Sequence, residues 1–444
     1  LCVNDVAPTI TFTGANGSAP YTFTYTINGG ASSTVTSVGV TATVTAPTGT
    51  AGAFMYDLVS VQDASATGCS QAQVGSATII VNPLPTATIV GDISLCLGEP
   101  DPTITFTGAN GTAPYTFTYN VDGGPNVTIT SVGTTATVAS PAGVAGTFVY
   151  TLVSVQDASA TGCSQAQAGT ATVIVTPLPI ATIAGTVILC VNDPSPTITF
   201  TGANGIAPYT FTYNINGGAN TTVTSVGTIA TVTVPTGVDG IFDYNLISVS
   251  DASATGCSQA QVGQATVTIN PLPTATIAGT ASVCEGGLDQ TITFTGANGT
   301  APYTYGYTIN GGAPQTIVSV GSTVTITVSA AAAGTFSYEL IGVQDASSSG
   351  CYQAQAGTAI VTINPLPIVD AGTDFTICDG AQAILTGSGA LVYAWTGGII
   401  DGQAFTPTGT DTYTVTGTDA NGCVATDDIT VTVEPLPVVS FIGD

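Results

Sequence analysis

The chain has 444 residues, 26 of them acidic, and no Lys, Arg or His, so its formal net charge at pH 7 is −26. Without a cationic side chain it cannot neutralise phosphates, which excludes electrostatic nucleic-acid binding, and it has no basic patch for an anionic membrane surface. No apolar run approaches the roughly 18 residues of a membrane-spanning helix, so we expect no membrane insertion in this segment.

The remaining composition favours folded domains. Hydrophobic residues make up 44% of the chain and charged residues only 6%, with a mean hydropathy of +0.45, whereas disordered chains combine low hydrophobicity with high charge. The chain begins inside a repeat and ends in a stretch that resembles the opening of another one. We therefore expect an internal segment of a longer secreted protein.

The ten cysteines form two regular series. The first series has a spacing of 94 residues: Cys2, Cys96, Cys190, Cys284 and Cys378. The second has the same spacing in its first four members: Cys69, Cys163, Cys257, Cys351 and Cys423. Each repeat therefore has two cysteines, and their even, regular placement is typical of an oxidising, extracellular compartment.

The simplest framework pairs the two cysteines within each repeat, although the spacing alone does not fix the connectivity. It predicts these disulfides: Cys2–Cys69, Cys96–Cys163, Cys190–Cys257, Cys284–Cys351 and Cys378–Cys423. Buried free thiols or four-cysteine metal sites are the alternative, which the absence of close Cys-x₂-Cys pairs disfavours.

Strand patterns fill each repeat. Polar and apolar residues alternate over residues 9–13 and 21–27, which is the period of strands with one buried face. Asn-Gly pairs beside these runs, at Asn16 and Asn28, indicate tight hairpins. About seven strands per 94 residues without helical periodicity predict an all-β fold, a tandem array of immunoglobulin-like antiparallel β-sandwich domains forming an elongated rod.

The joints between repeats are marked by the tripeptide Pro-Leu-Pro, which holds the chain extended as a semi-rigid spacer. It occurs five times, starting at Pro83, Pro177, Pro271, Pro365 and Pro435. These joints predict the following units: 1–82 (with its first strand missing), 83–176, 177–270, 271–364, a shorter fifth at 365–434, and the start of a further repeat at 435–444.

The fifth unit has its own motifs. A Tyr-x-Trp strand ending at Trp395 precedes a Gly turn, and a Tyr-Thr-Val-Thr strand, an Asn-Gly-Cys turn at Cys423 and a closing Pro-Leu-Pro follow. The unit resembles the polycystic-kidney-disease-type β-sandwich. The whole pattern resembles the repeat modules of very large bacterial surface adhesins of the type IX secretion and gliding-motility kind. The resemblance implies an extracellular or cell-surface filament.

The side chains that usually carry out catalysis are missing. The chain has no His or Lys to act as a base and no Arg to hold an anionic substrate group. We therefore predict no enzyme activity and no cofactor. A recurring Asp, exemplified by Asp157, is interpreted as a turn cap. Structural Ca²⁺ is the alternative, because hard cations prefer carboxylate oxygens, and its candidate ligands are Asp419, Asp427 and Asp428.

The pattern favours a structural stalk or filament segment of a bacterial surface adhesin that spaces or multivalently presents binding surfaces for attachment or gliding. Its partners would be the neighbouring repeats, surface glycans or other copies of itself. A subunit of a self-assembling extracellular fibre is the alternative. A carbohydrate-binding module of a secreted hydrolase is disfavoured, because the aromatic residues alternate into predicted cores.

Resistance to trypsin is a direct test of this composition. Trypsin cleaves after Lys or Arg, and the chain has neither. We expect the reduced and denatured chain to stay intact on a gel after prolonged digestion with pure trypsin. Cleavage of this unfolded chain would contradict the prediction, and chymotrypsin, which cuts after aromatic residues, is the positive control.

Overall fold

A computed structural model describes residues 1–440 as five successive β-sandwich units. Each unit has a separate hydrophobic core, and no buried core cluster extends across a joint. Antiparallel two-sheet sandwiches of this kind confirm the predicted all-β, immunoglobulin-like fold class. Residues 441–444, the end of the predicted further repeat, lie outside the described part of the chain.

The first two units contain strands β1–β15. Those of unit 1 are β1 Thr9–Thr13, β2 Thr22–Ile27, β3 Ser33–Thr36, β4 Thr41–Thr45, β5 Gly52–Gln62, β6 Ser70–Ala72 and β7 Ser76–Val81. Those of unit 2 are β8 Thr86–Val90, β9 Ile93–Cys96, β10 Thr103–Ala109, β11 Thr116–Val121, β12 Val127–Thr130, β13 Thr135–Ala139, β14 Gly146–Gln156 and β15 Ser164–Thr176.

Units 3 and 4 repeat the eight-strand pattern of unit 2. Those of unit 3 are β16 Ile180–Ala184, β17 Val187–Cys190, β18 Thr197–Ala203, β19 Thr210–Ile215, β20 Thr221–Thr224, β21 Ile229–Thr233, β22 Gly240–Ser250 and β23 Ser258–Asn270. Those of unit 4 are β24 Thr274–Ala278, β25 Ala281–Cys284, β26 Gln290–Ala297, β27 Thr304–Ile309, β28 Gln315–Val318, β29 Thr323–Val328, β30 Gly334–Gln344 and β31 Tyr352–Asn364.

Unit 5 is built from shorter strands and one 3-10 turn at Thr396–Gly398. Its strands are β32 Phe375–Cys378, β33 Ala383–Ile384, β34 Val392–Trp395, β35 Ala404–Phe405, β36 Asp411–Thr418 and β37 Val424–Glu434. Trp395 is buried in the core of this unit, as its strand position predicts. Within residues 1–440, no helix is long and apolar enough to cross a membrane.

Unit 2 shows the topology of the full repeat. One sheet has three strands in the order β13-β10-β8, and the other has five in the order β12-β11-β14-β15-β9. The first strand of the repeat is therefore divided, because β8 pairs with β10 in one sheet and β9 pairs in parallel with β15 in the other. This division accounts for eight strands where the sequence pattern predicts about seven.

The two Asn-Gly turns play different roles. Asn28 and Gly29 have φ values of 53° and 67° and connect the paired strands β2 and β3, so this hairpin prediction is confirmed. Asn16 also has a positive φ of 61°, but β1 pairs with β4 whereas β2 pairs with β3 and β5. The hairpin prediction at Asn16 is wrong, because this turn carries the chain from one sheet to the other.

Aromatic residues on alternate strand positions fill each core. In unit 2 the Phe106 ring lies 5.6 Å from that of Phe117 and 5.0 Å from that of Tyr119. Equivalent trios surround Phe12, Phe200 and Phe294, with Tyr305 in place of the second Phe in unit 4. Offset and tilted pairs of this kind add to the stabilisation from apolar burial. These aromatic residues therefore fill the cores, as the alternation predicts.

Candidate functional site: the disulfide-stapled joints

The two cysteines of one unit lie at opposite ends of the sandwich. In unit 2, Cys163 directly precedes β15, while Cys96 ends β9 and pairs with Thr176, the last residue of β15. The 13 residues of β15 therefore separate them, which is about 40 Å at 3.3 Å per residue. We call the end with Cys163 the entry end, because the preceding unit joins there, and the end with Cys96 the exit end.

Every disulfide in the described part of the chain joins two neighbouring units. The exit-end cysteine of one unit is bonded to the entry-end cysteine of the next: Cys2–Cys163, Cys96–Cys257, Cys190–Cys351 and Cys284–Cys423. We call these four bonds the staples. Cys69 and Cys378 are free and exposed.

The predicted pairing within units is therefore wrong for all five pairs: Cys2–Cys69, Cys96–Cys163, Cys190–Cys257, Cys284–Cys351 and Cys378–Cys423. A disulfide requires Cα atoms closer than about 7 Å, and those of the staples are 5.5 to 5.7 Å apart. Cysteines at the two ends of a 13-residue strand cannot meet this distance, whereas the exit end of one unit faces the entry end of the next.

A buried aspartate organises the loop that carries the entry-end cysteine. In unit 2, Asp157 accepts hydrogen bonds from the Ser159 hydroxyl at 2.7 Å and from the Thr112 backbone N–H at 3.0 Å. Its own backbone N–H donates to the Cys163 carbonyl at 2.9 Å. Asp251 and Asp345 are buried and hold the same positions in units 3 and 4. The turn-capping interpretation of this Asp is confirmed.

The equivalent loop of unit 1 is more exposed. Asp63 again accepts from the Ser65 hydroxyl, at 2.7 Å. That hydrogen bond, together with one from the Ser18 backbone N–H, holds the pKa of Asp63 below its usual range, because both stabilise the ionised carboxylate. The loop of unit 1 therefore has the geometry of the other entry loops although its cysteine, Cys69, forms no disulfide.

A tyrosine supports the same end of each sandwich. The Tyr115 hydroxyl donates to the Gly111 carbonyl at 2.8 Å and accepts from the Gly111 N–H at 3.1 Å. Gly111 has no side chain, which matters because a Cβ there would lie 2.8 Å from Asp157 and 3.1 Å from the Pro85 ring. The buried second proline of the joint thus packs directly on the entry loop of the unit that follows it.

Short polar side chains complete the joints. Asn82 donates its amide to the Thr161 hydroxyl at 3.0 Å between units 1 and 2. Asn270 donates to the Ser349 hydroxyl at 2.8 Å between units 3 and 4. Each acceptor lies two residues before a stapled cysteine, so hydrogen bond and disulfide fix the same contact. The leucines of the first three joints are half-buried, but Leu366 is 43% exposed.

The calcium candidates do not converge. Asp419 accepts hydrogen bonds from the N–H groups of Asn421 and Cys423, both at 2.8 Å, so it is the entry-loop aspartate of unit 5. Asp427 accepts from the Ala371 N–H at 2.8 Å. Asp428 is its neighbour on β37, where successive side chains point to opposite faces. Within residues 1–440 no group of three metal-ligating side chains forms a site.

Peptide mapping tests the staggered connectivity. We expect peptic peptides prepared at low pH, where thiolate exchange is slow, to contain Cys96 linked to Cys257 and Cys190 linked to Cys351. Reduction before digestion is the control and removes both masses. Recovery of Cys96 linked to Cys163 would contradict the structure.

A substitution in the entry loop tests the role of its aspartate. Asp251→Ala leaves the Ser253 hydroxyl and two backbone N–H groups without their acceptor, which destabilises the loop by about 1–3 kcal/mol. We expect Cys96–Cys257 to be reduced by a phosphine about tenfold faster or more, measured by alkylation and mass spectrometry. Asp239→Ala, in an exposed turn, is the matched control. Equal reduction rates in the two variants would contradict the assigned role.

No family model matches the sequence, and no curated protein matches it either. Among solved structures, an adhesin of an Antarctic bacterium, described as Ca²⁺-stabilised and ice-binding, is similar at a TM-score of 0.33 and 18% identity, over 80% of this chain and 93% of that one. Titin I-band domains I67–I69 are similar at 0.38 and 15%, over 63% and 98%. The Escherichia coli adhesin FdeC is similar at 0.30 and 17%, over 62% and 96%.

Proposed function

We propose that this chain is a stalk segment of a bacterial surface adhesin, which holds and presents binding surfaces away from the cell and whose extension under tension is limited by its disulfides. The single observation that carries the proposal is the staggered order of the staples. Extracellular placement follows from the disulfides. Export by the type IX route and a role in gliding belong to the same proposal and are supported by the motif resemblance alone.

The staples create a short covalent route through the array. Cys2 is bonded to Cys163, and Cys190 is bonded to Cys351, so only the 27 residues from 163 to 190 separate these two staples along the backbone. The other two staples form a second route with the same 27-residue step, from 257 to 284. A force applied between Cys2 and Cys351 is therefore carried by the two disulfides and this 27-residue step, and not by most of the intervening backbone.

The backbone of that step is already extended in the folded state. Residues 163–190 comprise β15, the Pro-Leu-Pro joint and the strands β16 and β17, and the three strands contribute 13, five and four residues. A β-strand rises about 3.3 Å per residue, and a fully stretched chain reaches at most about 3.6 Å. Tension therefore lengthens this 27-residue step very little. The unfolding of a core outside the step does not lengthen the step either.

This arrangement suits a tether more than a catalyst. When a single unit unfolds, the staples limit how far the array can extend, since the covalent route remains. The repeated entry loops can also present equivalent surfaces many times, which raises avidity without a tight single site. The repeats contact only their neighbours, as in other one-dimensional arrays.

Single-molecule force spectroscopy tests the proposal. With all four staples, the shortest covalent route from Leu1 to Asp444 crosses the backbone only at 1–2, 163–190, 284–351 and 423–444, about a quarter of the chain. We expect the oxidised chain to stretch to roughly 400 Å and the chain treated with a phosphine to reach roughly 1,600 Å, at about 3.6 Å per residue.

A variant supplies a matched control for this measurement. Cys190→Ser with Cys351→Ser removes one staple, but a route of equal length remains through residues 96–163, 257–284 and 423–444. Its maximum length should equal that of the oxidised parent. An oxidised chain that reached the length of the reduced chain would overturn the proposed mechanical role.

A further inference from the structure

One aromatic side chain is an exception to the burial of aromatic residues in the cores. Tyr352 is 58% exposed, and no other Phe, Tyr or Trp within residues 1–440 is exposed. In the other long units a serine occupies this position: Ser70, Ser164 and Ser258. The exposed ring is therefore specific to unit 4 among the four long repeats, and the fold of the repeat does not require it.

Tyr352 begins β31, on the outer face of the five-stranded sheet of unit 4. It pairs with Gln344 of β30, and Gln344 pairs in turn with Thr304 of β27. Val318 on the edge strand β28 completes this row and is 57% exposed. Side chains of directly paired residues lie on one face of a sheet. The row therefore presents two apolar and two neutral polar side chains to solvent.

The next row on the same face lacks side chains at its centre. Gly306 and Gly342 pair with each other across β27 and β30. In the other long units a Thr and a Ser form this pair: Thr24–Ser60, Thr118–Ser154 and Thr212–Ser248. Glycine inside a strand weakens it and often marks a position where another group approaches the backbone closely. Unit 4 therefore differs from its relatives at three neighbouring positions of one sheet face.

The two glycines make room for larger side chains beside them. A Cβ at Gly342 would lie 2.7 Å from two ring carbons of Tyr352, well inside the optimum of about 3.5 to 4 Å for carbon contacts. A Cβ at Gly306 would lie 3.2 Å from Cγ1 of Ile341. Tyr352 and Ile341 therefore lean onto the sheet, where Ile341 remains 38% exposed.

Stabilisation of the sheet explains only part of this arrangement. A ring packed over a glycine compensates for the missing side chain, so the hydroxyl end of Tyr352 covers Gly342. The Thr and Ser of the other units need no such cover, and the rest of the Tyr352 ring stays in water. Local departures from a stable pattern without a structural gain are typical of functional sites. The three differences together therefore indicate a binding surface.

The groups around the ring favour a neutral ligand. The Gln344 amide donates to the Gly350 carbonyl at 3.1 Å, which orients its Oε1 as an acceptor for a ligand hydroxyl. Glu339, further along the same face, accepts from the Thr308 hydroxyl at 3.4 Å. The chain has no Lys, Arg or His, so its negative charge repels carboxylated or sulfated ligands without any local compensation.

The extent of the patch indicates a small, flat ligand. A stable protein interface buries about 800 Å² per partner around anchors in desolvated pockets, whereas one ring and two aliphatic side chains lie here on an open sheet. A pyranose with equatorial hydroxyls has an apolar face of C–H groups that stacks on an aromatic ring, and hydroxyls at its rim. Tyr combines an apolar ring with a polar tip, which matches both features.

We propose that unit 4 contains a binding site for neutral glycan chains, in which one sugar ring stacks on Tyr352 while Gln344 and Thr304 bind its hydroxyls. The open sheet accommodates an extended chain, so the ligand class is a β-linked polymer of neutral hexoses. The site goes beyond the stalk role and does not depend on it, because a sugar binds in solution whether or not the staples limit extension.

Saturation-transfer difference NMR on the full oxidised chain tests the site with two neutral probes, cellotetraose and chitotetraose. We expect transfer to the C–H protons of at least one probe, with a Kd on the order of 1 mM because one ring buries little area. Hyaluronan tetrasaccharide, an acidic counterpart, should bind about tenfold more weakly or less. Absence of transfer to both neutral probes at about ten times this Kd would overturn the proposal.

Substitutions at the site separate binding from stability. Tyr352→Ser installs the residue of the other long units and should weaken binding about tenfold or more, whereas Tyr352→Phe keeps the ring and should preserve most of the affinity. Gly342→Ser should also weaken binding, because its Cβ displaces the ring. A purely structural role would lower Tm and leave Kd unchanged. A folded Tyr352→Ser chain that binds the probe as the parent does would therefore contradict the proposal.

Unit 2 allows the converse experiment, because Gln156 stands there at the position of Gln344. Thr118→Gly, Ser154→Gly and Ser164→Tyr rebuild the three differences in a chain that also carries Tyr352→Ser. We expect this chain to recover binding of the neutral probe. If it folds, retains its four staples and does not bind, the three residues do not constitute the site.

A second copy of the chain is the competing occupant of this surface. Self-association through Tyr352 would slow translational diffusion of the parent as its concentration rises, and Tyr352→Ser would remove this effect. Such a result without sugar binding would overturn the glycan site. It would leave the stalk proposal unaffected, because force spectroscopy follows single chains.

Discussion

The disulfide between the exit end of one unit and the entry end of the next is the constraint on which the array depends. Each sandwich has its own core, so the cores themselves do not join one unit to the next. Neighbouring units are held in contact by the disulfide. Closing a loop of 161 residues with one disulfide stabilises the folded state by roughly 5 kcal/mol on the chain-entropy model, because it lowers the conformational entropy of the unfolded chain. Because successive loops overlap, the unfolding of one unit leaves its neighbours joined.

The entry loop shows how local chemistry serves that contact. An Asp, a Ser and a Tyr hold the loop and its glycine turn within the unit, and the proline of the preceding joint packs on the same turn. The loop is formed in unit 1, where no staple is present. It is therefore a consequence of the fold of the unit, and the disulfide captures a geometry that already exists.

The sequence predicts the strands well and the disulfide pairing poorly, and one physical reason accounts for both outcomes. Alternation of polar and apolar residues reports which side of a strand is buried, so Phe106 and Trp395 are correctly placed in cores. Alternation says nothing about which end of the sandwich a loop occupies. Cys96 and Cys163 belong to the same repeat but are separated by the length of β15, and following the direction of the antiparallel strands would have placed them apart. Asp419 was missed as an entry-loop cap because the fifth unit has a shorter loop, from Asp419 to Cys423.

The absence of basic residues explains why the joints take this form. Repeats with a net charge of −26 among them repel one another, and no Lys or Arg is available for an ion pair between adjacent units. Neutral hydrogen bonds such as Asn270 to Ser349 contribute only about 1 kcal/mol each, and the joint proline, such as Pro85, adds a single small apolar contact with the following entry loop. A covalent bond is the remaining contact that resists both repulsion and tension, and unlike an ion pair it is not weakened by salt. An acidic array in saline surroundings can therefore keep its joints closed at any ionic strength, provided that the compartment stays oxidising.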